Sequence, residues 1–490
     1  MGGQLSPSRP IYSRREIMAL GASAAALLAA CGDDSGGASD ASVGPRAGAT
    51  APPVGGDVTP PLAPSAVPLP SETVVVNTTV PTDSAANAAT FGGGGGDGTL
   101  RIGFTAPLTG ALAGFAEANQ FVVDGITTLS ADGLMIGAQS YTVQVIQKDV
   151  ESDPVKAASA AGELIVDDTV DVILAIATPE MINPVADRCE ANGVPCLSTL
   201  ALWQPYFLGR GGDPAMGFDW TYHFFAGVEQ VAAVYVDLWN GVDTNKTVGL
   251  LCANDADGTA LADPPGGLPA AATSAGYQVV DPGLFEPSTA DFSTIIEQMR
   301  DGGVEIVSGT ATPADFATFW TQSKQQGFNP KLVTVAKAVS NSSAMDSLGP
   351  IGDGLATDLS WSPEHPFSSS LTGQPSRQLS DEYEASTGKQ WTQFMGFVHA
   401  LFEVCFDVVA RAGSTDKQAI ADAAASTNLA TIVGPVAYGT NGLPRNVSRT
   451  SLVGGQWQKR TGAAFPFELL VVENNQSPGI PTNGQLKPLI

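Results

Sequence analysis

Residues 100–110 read LRIGFTAPLTG, and at this point the chain changes character. Gly- and Pro-rich sequence precedes them, whereas short β-branched runs alternate with helical patterns after them. A strand is predicted at 100–104 and a helix at 154–166, the latter opened by Ser152, Asp153 and Pro154, a capping and first-turn signal. Repeated strand-helix units predict an α/β fold with a parallel sheet covered on both faces.

The same alternation starts again after residue 228. It predicts a strand at 247–252, a helix at 313–326 and a strand at 331–335. After residue 359 the pattern is mostly helical, with a long apolar helix at 395–412, and the chain closes with further strands. Two successive α/β units predict two lobes.

Composition limits the classes of function. The chain has 490 residues, with 23 Lys and Arg against 49 Asp and Glu, so its formal net charge is −26. Such an acidic surface keeps a protein soluble and repels nucleic acid, so no nucleic-acid partner is expected. A hydrophobic content of 43% excludes a wholly disordered chain.

The first 30 residues have the pattern of an export signal. The pair Arg14 and Arg15 precedes an uncharged run at 17–30, which is too short to span a bilayer as a helix. The paired arginines indicate the twin-arginine export route. Leu-Ala-Ala-Cys at 28–31 resembles a bacterial lipobox, which implies a lipid on Cys31 and an extracytoplasmic protein anchored to the membrane.

A tether is predicted between this signal and the first strand. Residues 32–98 contain 13 Gly and 9 Pro, which is a low-complexity composition. The run at 91–98, FGGGGGDG, lacks the Lys and Ser or Thr of a phosphate loop. We therefore expect residues 31–98 to be a disordered tether that ends in this glycine run.

No catalytic or metal motif stands out. The three histidines, His223, His365 and His399, are not at metal-ligand spacings, and neither a nucleophile elbow nor a phosphate-loop motif is present. We expect no metal, no cofactor and no enzymatic activity. Asp255 and Asp257 follow a predicted strand, a place where carboxylates more often cap helices or orient ligands than do acid-base chemistry.

The cysteines fall into two groups. Cys189 and Cys196 flank a short turn between a helix and a strand, so a disulfide between them is possible in an oxidising compartment. Two buried thiols on neighbouring elements are the alternative. Cys252 and Cys405 are expected to be separate, buried and free.

Several segments together resemble one family. They are 100–110, the acidic stretch KDVESDPVKAA at 148–158, VDVILAIAT at 170–178, GVPCLS at 193–198, GFNPKLV at 327–333 and VGPVAY at 433–438. In order and spacing they are similar to the branched-chain amino-acid (Leu/Ile/Val-binding) type of ABC-transporter solute-binding lipoprotein, of which this chain resembles a divergent subgroup. The resemblance covers about residues 100–460.

The resemblance implies a type I periplasmic-binding fold. Two Rossmann-like lobes, joined by three hinge crossings, close on a ligand held at the carboxyl ends of their strands. Lobe one would comprise 99–222 and 360–434, and lobe two 223–359 and 435–490. The resemblance also implies a monomer without cofactors, whose partners are a small-molecule ligand and an ABC transporter permease.

The resemblance also implies ligand-binding positions in the strand-end loops, namely Thr178, Glu180, Ser198, Thr199, Trp203, Asp255, Asp257, Thr310, Lys337, Trp361 and Trp391. Asp257 stands where the family's amino-acid binders carry tyrosine, and Thr310 and Thr312 stand where an aromatic residue is usual. These departures favour a flat organic acid or amide over a branched-chain amino acid, with Lys337 as counter-charge. The tryptophans can equally pack in the core or the hinge, and Lys337 can be an ordinary surface lysine.

The function that follows is capture of an amino acid or a flat organic acid or amide, and its delivery to an ABC importer. A sensor of the same fold that signals to a membrane receptor is one alternative. An extracytoplasmic α/β hydrolase is another, but it needs a nucleophile and a base within hydrogen-bond reach, and the sequence shows no such pair.

Overall fold

A computed structural model describes residues 84–489. The predictions for the signal peptide, the twin-arginine pair, Cys31 and the tether up to residue 83 concern residues outside this range. The strands are β1 (Gly98–Ala106), β2 (Leu134–Ile136), β3 (Gln139–Asp149), β4 (Val172–Ile176), β5 (Cys196–Thr199), β6 (Thr221–Phe224), β7 (Thr247–Cys252), β8 (Gln278–Val280), β9 (Ile306–Thr310), β10 (Leu332–Ala336), β11 (Ala356–Leu359), β12 (Asn428–Thr431), β13 (Gly434–Ala437), β14 (Val447–Ser448), β15 (Val453–Lys459) and β16 (Phe467–Glu473).

Helices alternate with most of these strands. They are α1 (Asn119–Leu129), α2 (Pro154–Val166), α3 (Pro179–Asn192), α4 (Trp203–Phe207), α5 (Val228–Asn240), α6 (Ala256–Ala262), α7 (Leu268–Ser274), α8 (Ser293–Asp301), α9 (Pro313–Gln325), α10 (Ser342–Leu348), α11 (Ser376–Thr387), α12 (Gln393–Ala412) and α13 (Lys417–Ala425). The predicted cap of α2 is present, because the Asp153 carboxylate accepts hydrogen bonds from the N–H groups of Val155 and Lys156 at 2.7 and 3.0 Å.

Two seven-stranded sheets organise the fold. The first has the order β14-β6-β5-β4-β1-β3-β2, and the second β16-β15-β11-β10-β9-β7-β8. The first is parallel except for the β2-β3 pair, and the second is parallel except for the pairs that β15 makes with β11 and β16. We call the first sheet with its helices lobe one, and the second lobe two.

The chain passes between the lobes three times. The crossings lie between β6 and α5, between β11 and α11, and between β14 and β15. This confirms the predicted α/β fold with two Rossmann-like lobes and three crossings. The limits of the lobes stay a proposal, although strand pairing places Val447–Ser448 in the first sheet, beyond the expected limit at residue 434.

Helix α12 forms the centre of lobe one. It is long and apolar enough to cross a bilayer by length and composition, but 94% of its most apolar window is buried inside the fold, as in the core helix of a globular protein. Gly396 lets it approach Trp361, because a Cβ there would lie 2.5 Å from the indole ring.

The expectation of a disordered tether is wrong for residues 84–97, which we call the strap. Ala85 forms a bridge with Leu429 of β12. The Asn87 side-chain amide donates to Ser370 Oγ at 2.9 Å and to the carbonyl of Glu403 at 3.1 Å. The strap is therefore bound to lobe one before the first strand begins.

The glycine run belongs to this bound strap. Gly92 and Gly94 donate backbone hydrogen bonds to the carbonyls of Gly133 and Asp132 at 2.9 and 2.8 Å. All five glycines at 92–96 have positive φ, between 64° and 140°, which side chains of L-residues rarely adopt. The run is thus a tightly turned segment that only glycine accommodates, rather than a flexible end.

Candidate functional site

The carboxyl ends of the parallel strands in both lobes lie around one cleft. Three residues that directly follow strands have positive φ although they are not glycine: Ala177 (109°), Leu200 (80°) and Lys337 (63°). Such backbone costs about 1–3 kcal/mol per residue and is found where a fold holds functional groups in place. These strained turns follow β4, β5 and β10, where the sequence predicted binding loops.

Lys337 lies in a cluster of carboxylates. Its Nζ is 2.7 Å from Asp255 Oδ2 and 3.1 Å from Asp257 Oδ2, and all three side chains are at most 14% exposed. The residue after Asp257 is Gly258, and only glycine fits at this position because a Cβ there would lie 1.9 Å from the Ala253 carbonyl oxygen. Lys337 is therefore neither a surface lysine nor a free counter-charge for an organic acid, because two carboxylates already neutralise it.

Burial and charge act in opposite directions in this cluster. Burial raises the pKa of the Asp257 carboxyl to about 7, the charge of Lys337 opposes this shift, and the neighbouring Asp255 and Glu180 reinforce it. For Lys337, burial acts to lower the pKa, but the charges of Asp257, Asp255 and Glu180 outweigh it and leave the pKa raised. Lys337 thus stays cationic, whereas Asp257 titrates near neutral pH.

Glu180 connects the two lobes at this cluster. It lies in the first turn of α3 in lobe one, and its Oε1 accepts a hydrogen bond from the backbone N–H of Ala256 in lobe two at 2.8 Å. Ala256 lies between the two aspartates that bind Lys337. This contact brings the predicted residue Glu180 to the predicted lobe-two loop.

A cavity of about 30 Å³, the inner cavity, lies between the strand ends of both lobes. This volume holds about one or two water molecules, so a ligand of amino-acid size requires the surrounding groups to move apart. Its walls combine apolar and polar groups, as in small-molecule sites. They are formed by Phe115, Leu200, Leu202, Phe225, Val231, Asp257, Leu261, Thr310, Ala336, Lys337, Ser340, Asp358, Gln393 and Phe394.

One carboxylate oxygen in this cavity has no partner. Asp257 is 5% exposed, and its Oδ1 makes no hydrogen bond within the described residues. A second carboxylate, that of Asp358, accepts a hydrogen bond from the Tyr235 hydroxyl at 2.9 Å. Because buried polar atoms are normally hydrogen-bonded, the orphaned oxygen of Asp257 marks a place for a donor.

A larger cavity of about 250 Å³, the outer cavity, lies between the same lobes, and no residue of the Lys337 cluster lines it. It contains none of the predicted site residues. Its lining consists of Glu117, Ser342, Ser343, Met345, Asp346, Gly388, Lys389, Gln390, Phe465, Pro466 and Phe467.

Three predicted hydroxyl residues do not line the inner cavity. Ser198 Oγ donates to the Tyr222 carbonyl at 3.2 Å, and Thr199 Oγ1 donates to the Phe224 carbonyl at 2.6 Å, so both fasten β5 to β6. Thr178 begins α3, and its buried Oγ1 has no partner within residues 84–489. The binding roles of these residues stay predictions.

The tryptophans lie in the hinge and the core. Trp203 Nε1 donates to Glu229 at 3.2 Å, beside the first crossing. Trp361 is fully buried and donates to the Ile432 carbonyl at 3.1 Å. Trp391 is half-buried and contacts Trp361 edge-on, with 6.1 Å between ring centroids. Of the alternatives left open by the sequence, packing is the one that their contacts favour.

Glu229 joins two of the three crossings. Besides Trp203, it accepts a hydrogen bond from Gln204, and Arg449 Nη1 lies 2.9 Å from its Oε1. Gly227 is required here, since a Cβ would lie 2.4 Å from Trp203 Nε1. The first and third crossings are therefore held by one half-buried carboxylate.

The possible disulfide is not formed in the structure. Cys189 and Cys196 are free, buried thiols, and burial raises the pKa of Cys189 well above its ordinary value. Cys252 and Cys405 are also free and buried, as expected.

Each histidine is hydrogen-bonded to a serine, which bears on the hydrolase alternative. The pairs are Ser198 with His223 at 2.9 Å, Ser362 with His365 at 2.9 Å, and Ser369 with His399 at 2.8 Å. All six residues are buried, at most 7% exposed, and none lines either cavity. Burial lowers the pKa of His223 to about 3, so it binds a proton poorly near neutral pH. These pairs are structural contacts, not accessible nucleophile and base.

Sequence reasoning missed much of the apolar wall. Phe115 and Phe394 stack with their ring centroids 4.4 Å apart, although they lie far apart in sequence. Leu200 and Leu202 lie in the loop after β5, next to the predicted residues Ser198 and Thr199, so their position at a strand end could have identified them as cavity-lining residues. Asp358 gave no signal, because the strand that carries it was not predicted.

Fold and site together define a two-lobed receptor for a small molecule. The model of the periplasmic binding protein family matches residues 99–451, and the chain belongs to this family. Members of the family bind solutes and are not enzymes, and they act outside the cytoplasm.

The relatives are of the branched-chain amino-acid type. The Leu/Ile/Val-binding protein homolog 3 of Brucella melitensis biotype 1 is 27% identical over 226 residues, which are 46% of this chain and 58% of that protein. The aligned part is therefore less than two thirds of the relative's length.

Solved structures share the fold. A leucine-binding protein from Thermotoga maritima has a TM-score of 0.60 and 18% identity, covering 76% of this chain and 97% of its own. A Streptococcus pneumoniae branched-chain amino acid transporter substrate-binding protein in complex with isoleucine has a TM-score of 0.59 and 16% identity, covering 76% and 99%. A Rhodopseudomonas palustris BisB5 solute-binding protein with 3,4-dihydroxybenzoic acid has a TM-score of 0.56 and 17% identity, covering 74% and 94%.

Proposed function

We propose that this chain captures a small organic ligand that carries an amine, such as an amino acid, and delivers it to an ABC importer without chemical reaction. The observation that carries the ligand class is the buried, unpartnered Oδ1 of Asp257 in the inner cavity. An ammonium group would supply both the missing donor and a favourable charge.

The charge of the cluster supports an amine over an organic acid. Asp255, Asp257 and Glu180 together carry more negative charge than Lys337 neutralises. A ligand whose only charge is a carboxylate would meet uncompensated like charge there, whereas an amino acid can place its ammonium group beside Asp257 and direct its carboxylate away from the cluster. This reverses the preference for a flat organic acid that the sequence suggested, while an amide with N–H donors remains compatible with the site.

Delivery to an importer is supported by the relatives. The Streptococcus pneumoniae protein is a substrate-binding protein of a branched-chain amino acid transporter, and it holds isoleucine. Lipid anchoring at Cys31 is part of the same proposal, because an anchored receptor stays close to a membrane permease. A Cys31→Ser variant is expected to leave the membrane fraction, and equal retention of this variant would contradict the anchor.

A ligand screen tests the proposal. Bound ligand raises the melting temperature by mass action and lowers the radius of gyration in solution scattering as the lobes close. Amino acids, amides and aromatic acids form the panel, with Asp257→Asn as the site variant and the exposed Asp301→Asn as its matched control. The proposal requires an amine-bearing compound to give both effects in the control but not in Asp257→Asn. It fails if no amine-bearing compound in the panel gives either effect.

A further inference from the structure

The inner and outer cavities are neighbours that share one wall. Three short segments line both of them, two or three residues apart. The members that line the inner cavity are Phe115, Ser340 and Gln393. Their neighbours that line the outer cavity are Glu117, Ser342 and Gln390, respectively. The residues between these positions separate the two spaces.

The wall includes a contact between the lobes that side-chain motion can open. A Cβ on Gly114 of lobe one would lie 2.4 Å from the Asn341 side-chain amide of lobe two, so the two lobes touch here through one backbone and one side chain. Asn341 also begins α10, where its Oδ1 accepts a hydrogen bond from Ala344 N–H at 3.0 Å. Asn341 lies between Ser340, which lines the inner cavity, and Ser342, which lines the outer one, so rotation of its side chain or slight separation of the lobes would open a passage at this point.

The outer cavity has an apolar side and an acidic side. Met345, Phe465 and Phe467 provide apolar surface. Glu117 lies 3.4 Å from the Lys389 ammonium, which neutralises it. Asp346 forms no ion pair within residues 84–489, so the lining carries a net negative charge. Phe465 and Phe467 lie beyond the part of the chain that the family model matches.

We propose that the outer cavity is a subsite for the far end of an elongated ligand, and that this end carries a second cationic group that binds near Asp346. This inference rests on the proposed function, because the ligand's first amine occupies the inner cavity beside Asp257. The alkyl chain between the two amines packs on Met345 and Phe467. The ligand class is therefore an amino acid with a cationic side chain rather than a branched-chain one.

Matched amino-acid pairs isolate the effect of the second amine. In each pair the carbon chain is the same and only the terminal ammonium differs: 2-aminobutyrate with 2,4-diaminobutyrate, norvaline with ornithine, and norleucine with lysine. Calorimetric titration of the full chain should give at least about tenfold tighter binding for the charged member of at least one pair, which corresponds to one charge-assisted hydrogen bond.

Asp346→Asn tests the assigned partner. Asp346 is exposed and caps nothing, so this variant should fold, which a circular-dichroism melt verifies. The variant should lose the preference for the charged member while retaining the affinity for the neutral one, and Asp301→Asn should change neither. Equal affinity within every pair, binding by none of these compounds, or a preference that survives in Asp346→Asn would overturn the inference. If isoleucine or another amine-bearing compound of the panel still binds and compacts the protein, the proposed function stands without it.

Discussion

At the scale of single residues, the pKa of Asp257 gives a measurable signature. Burial raises it to about 7, whereas the unfolded chain has the ordinary value near 3.8. Between these values the folded protein holds a proton that the unfolded chain has lost. Folding stability linked to this group is therefore full below about pH 4 and is lost as the pH rises towards 7.

Asp257→Asn removes this linkage. We expect the free energy of unfolding of the native protein to fall more steeply between pH 5 and pH 7 than that of the variant, by up to about 1.4 kcal/mol per pH unit for one proton. Burial also raises the pKa values of Glu403 and Glu473 to about 7, so both proteins keep a common slope. Urea denaturation at each pH measures the difference, with Asp301→Asn as control. Parallel slopes in the native protein and Asp257→Asn would contradict the protonated state of Asp257.

A substitution at Trp203 distinguishes between a role of this residue in the hinge and a role in ligand binding. Trp203→Phe keeps an aromatic ring but removes the N–H that donates to Glu229. If Trp203 holds the hinge, the variant loses about 1 kcal/mol of unfolding free energy without ligand, the typical value of one hydrogen bond. Unchanged stability combined with weaker ligand binding would instead place Trp203 in the ligand site.

At the scale of secondary-structure elements, the strap is the segment whose order was predicted wrongly from the sequence. Low complexity indicated disorder, but the backbone of 84–97 pairs with lobe one through contacts that are distant in sequence. Composition indicates that this segment would not fold in isolation. It contains no information about the hydrogen-bonding partners that β12 and α12 provide once lobe one has folded.

Asn87→Ala tests whether the strap stabilises lobe one. The substitution removes the two hydrogen bonds to Ser370 and Glu403, and we expect a loss of about 1–2 kcal/mol of unfolding free energy. Asn192→Ala is the matched control, because the Asn192 side chain is exposed and bonds only within its own helix. Thermal or urea unfolding measures both. A loss no larger than that of the control would show that the strap is bound without stabilising the lobe.

Elements with strong local signals were predicted closely. The strand at 247–252 and the helix at 154–166 coincide with β7 and α2. Strand β15 was missed because its Gly454 and Gly455 and its polar residues resemble a loop, and it is stabilised by pairing with β11 and β16. The loops of the site followed from strand order, whereas the pairing of Lys337 with two aspartates depends on backbone geometry that no local pattern encodes.

At the scale of the whole molecule, closure depends on the few contacts that cross the cleft. In one of them, the carboxylate of Glu180 in lobe one accepts a hydrogen bond from the backbone N–H of Ala256 in lobe two. This carboxylate lies beside those of Asp255 and Asp257. A charge-assisted hydrogen bond contributes about 1.5–3 kcal/mol, and 1.4 kcal/mol changes an equilibrium tenfold. This single contact is therefore large enough to shift the balance between open and closed lobes.

Glu180→Ala should shift that balance towards the open form. We expect a larger radius of gyration in solution scattering without ligand, and weaker binding of an amine, because the variant loses both the contact and a negative charge. Glu180→Gln retains an acceptor oxygen without the charge, so it should keep most of the compaction while still binding the amine less tightly. Glu297→Ala, an exposed position on α8, is the control and should match the native protein in both measurements. If Glu180→Ala scatters like the control, the contact does not hold the lobes together, and closure must be governed by the ligand and the hinge at Glu229.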